Sequence, residues 1–81
     1  MQKRLLEELV AAGAVRSLTA RGVPGGFVLV VRTEGGERVL AAQRGPSRVF
    51  RRLDAVARFL RKLGLYSFAV EVSKWDAAGL L

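Results

Sequence analysis

The sequence predicts an α+β fold: one small domain in the order α-β-β-β-α-β, with an antiparallel sheet packed by two helices. Three observations lead there. Two segments, QKRLLEELVAA (2 to 12) and RRLDAVARFLRKL (51 to 63), repeat their apolar residues at helical spacing. VRSLTAR, FVLVVRTE and ERVLAAQR are rich in residues that favour a pleated surface, Val and Thr above all. Gly and Pro fall at the joints between these segments. At 81 residues the whole chain, 1–81, is one domain with a C-terminal tail at 73–81. Such a domain buries only about 60 to 65 per cent of its unfolded surface.

The first helix places Leu5, Leu6, Leu9 and Ala12 on one arc, sets Lys3 against Glu7 and Arg4 against Glu8 at i,i+4, and stops at Gly13. Three strands of a meander follow: 15 to 21, 27 to 34 and 37 to 44. The breaker GVPGG separates the first two, and Gly35 and Gly36 turn the second hairpin. Strand two is apolar on both faces from Phe27 to Val31. That predicts a central strand covered by helices on one face and by a dimer mate or bound partner on the other.

On a helical wheel from Leu53, the residues Leu53, Val56, Ala57, Phe59, Leu60 and Leu63 span roughly 160 degrees, opposite Asp54, Arg58, Arg61 and Lys62. The apolar half is core, and the basic half is free for another use. After the stop at Gly64, LYSFAVEVS (65 to 73) alternates Phe68, Val70 and Val72 against Ala69, Glu71 and Ser73, the pattern of a half-buried strand. Coming after a helix, this strand must join an edge of the sheet or pair with another molecule. Trp75, Leu80 and Leu81 in the tail are expected to dock on the body or on a dimer mate.

Composition narrows the function. Cys and His are absent, which excludes disulfides, Zn ligation by Cys or His, thiol nucleophiles and imidazole bases. GVPGG and EGGE lack the spacing and the Lys-Ser/Thr of a P-loop. Glu34 and Glu37 flank a turn, where such pairs are solvating charges. The chain is therefore expected not to be an enzyme and to use no cofactor or metal. With no long apolar run, signal-peptide pattern or lipidation motif, it is expected in the cytoplasm. The basic helix needs its apolar side to cover the sheet, which argues against a membrane partner. An apolar content of 51% at this length points to a homodimer.

The net charge of +7, with eleven Arg against three Lys, points to an anionic partner, nucleic acid first, because Arg forks match phosphate oxygens and stack on bases. A GC-rich genome writing Arg for Lys is the bland alternative. Residues 44 to 63 hold seven of the fourteen Lys and Arg against one acid, Asp54. Arg51 and Arg52 stand where a helix start favours a cap and acids. Such a locally broken rule marks a candidate functional site. Arg44, Arg48, Arg51 and Arg52, with the turn Gly45-Pro46-Ser47 and the helix N–H groups, would seat phosphates, while Arg58, Arg61 and Lys62 would extend the surface. Alternatively Ser47 caps an earlier turn and the arginines stand in solvent. With no Asn and Gln43 the only internal amide, base readout is unsupported, and binding is expected to show little sequence preference.

Two resemblances bear on this. The order helix, three strands, basic-flanked helix resembles double-stranded RNA-binding domains. A meander followed by a helix bearing Phe50, Leu53, Val56, Phe59 and Leu60 is similar to sheet-reading DNA-binding domains of the integrase-arm kind. The helix-start signature of the RNA-binding family is missing; Gly45, Ser47, Arg51 and Arg52 only shadow it. More particularly, LLEELVAAGAVR, ERVLAAQRG and FRRLDAVARFLRKLGLYSFAVEVSKWD resemble the small ParC-type partition-associated proteins of plasmids and integrative elements, over nearly the whole chain. That resemblance implies an accessory factor in maintaining mobile DNA, working beside a partition ATPase and a centromere-binding protein. The competing expectations are an adaptor whose basic face docks an acidic protein, and a module that binds double-stranded RNA.

Overall fold

The structure is a computed structural model that describes residues 1–42 and 47–75. The elements run α1 (Lys3–Ala11), β1 (Ser17–Val23), β2 (Gly26–Thr33), β3 (Gly36–Val39), β4 (Val49–Phe50), α2 (Leu53–Lys62) and β5 (Ala69–Glu71). The fold is α+β, as the sequence predicts, with one five-stranded sheet and two helices.

β1 and β2 form a seven-pair antiparallel hairpin from Ser17↔Arg32 to Val23↔Gly26. Pro24 and Gly25, the latter at φ 87°, occupy its turn, the residues a type II turn demands at its two central positions. β3 returns antiparallel to β2 over Val30↔Val39 to Thr33↔Gly36. The sheet order is β3-β2-β1-β5, and β5 lies parallel to β1 through Thr19↔Ala69, Ala20↔Val70 and Arg21↔Glu71. The sheet is thus mixed rather than wholly antiparallel, because α2 carries the chain back before β5 begins.

β4 is an addition to the predicted order. β3 ends at Val39, shorter than its predicted span to residue 44, and β4 takes up the same edge of β2 through Phe27↔Phe50 and Val28↔Val49. Two residues carry no periodicity, so this strand left no signal in the sequence. Gly26 makes the close approach possible, since a Cβ there would lie 2.2 Å from the Phe50 carbonyl oxygen.

The core lies between the helices and one face of the sheet. Leu6 of α1 and Val56 and Leu60 of α2 meet Leu18, Ala20, Phe27, Leu29, Val31, Leu40 and Phe50 there. In α1 Val10 packs against this core, whereas Ala12, predicted on the arc, is the exposed C-cap. In α2 Ala55 packs inward and Ala57 faces out, because the buried stripe centres on Val56 and Leu60, a rotation away from the predicted arc. Gly13 at φ 66° and Gly64 at φ 82° follow the two helices as the sequence predicts.

The helix-free face of β2 needs no second molecule for its burial. Val28 and Val30 are 8% and 2% exposed within the single chain. Arg21, opposite Val28 on β1, reaches Glu37 on β3 at 3.7 Å, and the register sets Val30 on the diagonal between them. The aliphatic stem of Arg21 thereby covers Val30 while its charged end pairs at the surface. The same guanidinium approaches Glu71 on β5 at 3.8 Å.

β5 departs furthest from the sequence reading. It is three residues long and exposed throughout, with Val70 at 45% and Val72, just past its end, at 54%. Among the described residues only the neighbouring Phe68 of this segment packs against the core, so the predicted half-burial does not extend to Val70 and Val72. Trp75 docks on the body: its ring stacks on Phe27 at 6.0 Å and 14°, and its Cβ sits against Gly22. Leu80 and Leu81 lie outside the described residues.

Candidate nucleic-acid interface

Arg48 is positioned by backbone and aromatic contacts together. Its N–H donates to the Leu40 carbonyl at 3.0 Å, fixing the approach to β4. Its guanidinium lies 4.5 Å from the Phe50 ring centre and 4.8 Å from that of Phe59, and the two rings meet edge to face at 5.5 Å. A guanidinium over aromatic faces gains about 0.5–1 kcal/mol at an exposed site and keeps its outer N–H groups available. Lys3 at the start of α1 brings its ammonium to 5.9 Å from the same Phe59 ring.

Lys3, Arg4 and Arg48 line an open groove of about 480 Å³ in which Glu7 is the one acid among the described residues. The sequence alone pointed to Arg48 and missed Lys3 and Arg4, which it assigned to pairs with Glu7 and Glu8. Neither of those ion pairs forms among the described residues. The missed signal is long-range: the Ala41 N–H donates to the Met1 carbonyl, which brings the start of α1 beside the segment leading to Arg48.

The start of α2 is as the sequence suggests. Arg52 is the N-cap residue and no side chain, Ser47 included, caps the helix. Asp54 in the first turn is shared, at 3.3 Å from Arg52 Nε and 3.1 Å from Arg58. Those two arginine side chains are 80% and 77% exposed, and surface pairs of this kind contribute about 0–1 kcal/mol. Arg61 and Lys62 stand on the same exposed side in the last turn, where cations also suit the helix dipole. Arg51 is exposed beside Arg52. Arg44, Gly45 and Pro46 lie outside the described residues.

The acids of the sheet and its turn are paired. Glu34 pairs with Arg16, and Glu37 and Glu71 both pair with Arg21. Among the described residues, Lys3, Arg4, Arg32, Arg38, Arg48, Arg51, Arg61, Lys62 and Lys74 have no ion-pair partner, and six of these nine lie on α1, α2 or the approach to α2. Among the described residues there is no cluster of three metal-binding side chains, and no helix is long and apolar enough to cross a membrane.

A mixed sheet with both helices on one face and a net charge of +7 define a small basic α+β protein. The chain matches the family model described as ParC-like over residues 1–77 and belongs to the ParC-like family. No curated protein and no solved structure matches it.

Proposed function

We propose that this chain is a non-enzymatic accessory protein of DNA partition or maintenance that binds nucleic-acid phosphates with little sequence preference. The observation that carries the reading is the set of unpaired cations beside α1 and α2, with Arg48 held over Phe50 and Phe59 at the mouth of the groove that Lys3 and Arg4 share. Arg48 and Lys3 grip backbone oxygens at that groove. Arg51 and Arg52 extend the grip to the start of α2, and Arg58, Arg61 and Lys62 carry it along the helix. Membership of the ParC-like family is the ground for placing this activity in partition, beside a partition ATPase or a centromere-binding protein.

The test is fluorescence anisotropy of unrelated 30-base-pair duplexes across a salt series. If five to seven phosphates are engaged, log affinity should fall against log salt with a slope of roughly −4 to −6. Changing Arg48, Arg51 and Arg52 together to Ala should weaken binding and reduce that slope by about 3, one for each lost phosphate contact. No binding at low salt overturns the proposal and turns the surface into a docking face for an acidic protein. A strong preference for A-form RNA duplexes would move the reading to double-stranded RNA.

A further inference from the structure

The two edges of the sheet are built differently. Solitary edge strands are ordinarily blunted by shortness, charge, Pro or a covering segment, because their free backbone groups invite another strand. On the β3 side these devices are present: Glu37 and Arg38 lie on the strand, and just past it Ala41 bonds back to Met1. β5 is short, but the run from 63 to 73 around it contains no Lys, Arg or Pro. Its one charge, Glu71, is engaged inward by Arg21, and among the described residues β5 pairs only with β1. Exposed apolar side chains also gather here, with Tyr66, Val70 and Val72 at 80%, 45% and 54%.

We propose that β5 pairs antiparallel with β5 of a second copy of this chain, about a two-fold axis that sets Val70 opposite Val70 of its mate. An isologous interface through one strand is necessarily antiparallel. The face is fixed by register: Val70 lies opposite Ala20, so Phe68, Val70 and Val72 point to the helix side, and apolar groups meet only when these positions oppose one another. Centring the pair on Glu71 would set two carboxylates face to face, which is unfavourable. Centring it on Val70, the middle residue of the strand, sets Glu71 against Ala69 and Phe68 against Val72. The occupant is a second copy because the edge complements itself in this way, and because a run without cations is where two chains of charge +7 approach at least electrostatic cost.

The absence of Cys makes the test direct. Sedimentation of the wild type at high micromolar concentration should give twice the 8.8 kDa monomer mass. Val70→Lys should shift it to monomer with its circular dichroism unchanged. Opposed residues of an antiparallel pair bring Cα atoms to about 4.5–5.5 Å, within disulfide range, whereas a two-residue diagonal is about 7–8 Å. Val70→Cys should therefore oxidise to a covalent dimer in high yield and Glu71→Cys should not. A monomeric wild type overturns the proposal, as does a dimer in which Cys at 71 cross-links as well as Cys at 70. Should Val70→Lys fail to fold, the two cysteine variants decide without it. Because no nucleic acid enters the test, its outcome is separate from that of the phosphate-binding proposal.

Discussion

Arg21 joins the sheet across its width: its guanidinium pairs with Glu37 on one side and Glu71 on the other, while its stem spans Val30. Replacing it separates these contributions. Arg21→Met keeps the apolar stem and loses both ion pairs, whereas Arg21→Ala loses the cover as well. Urea denaturation should show Ala less stable than Met by about 1 kcal/mol, the scale of one or two buried methylenes. Gly22 tests a different contact. A Cβ there would fall 2.4 Å from Trp75 Cβ and 2.9 Å from its Cα. Gly22→Ala should therefore lift Trp75 off Phe27, shift its fluorescence to longer wavelength and cost about 1–3 kcal/mol, the usual penalty of overpacking. Since Trp75 is the single Trp, the shift reports this site alone. The clash was not legible in the sequence, where Gly22 read simply as part of the GVPGG breaker.

Among the elements, α2 combines a basic surface with an incomplete start. Arg52 occupies its N-cap without a side-chain bond to the helix. Arg52→Ser would supply that bond and should stabilise the protein by about 0.5–1 kcal/mol, raising Tm by a few degrees, while duplex affinity falls. Calorimetry and anisotropy on the same variant measure both. If affinity is unchanged, Arg52 takes no part in the binding surface. Both helices were legible because their apolar faces repeat over two to three turns, and the long hairpin because GVPGG marks its turn. β4 and the parallel seat of β5 were not, since both depend on contacts between distant segments. The candidate site divides in the same way. Arg48, Arg51 and Arg52 stood out as cations at an unprotected helix start, whereas Lys3 and Arg4 join them only through the fold.

At the scale of the whole molecule, charge is unevenly spread. The sheet pairs its acids with Arg16 and Arg21, and although Arg32, Arg38 and Lys74 also have no partner among the described residues, most of the unpaired cations lie along the two helices. The expectation that β2 required a second molecule is replaced by a more specific one, because β2 is covered within the chain and the uncovered strand is β5. The parallel seat of that strand also has a kinetic meaning. The β1–β2 hairpin closes over a two-residue turn, but Thr19 and Ala69 lie fifty positions apart. Bringing them together carries the entropy of closing a long loop, and no buried side chain on β5 repays it. β5 should be the last strand to dock during folding and the first to detach from the native state. In hydrogen exchange of dilute protein, the amides of residues 69–71 should lose protection well before those of 27–31, through an opening that leaves the rest of the sheet intact.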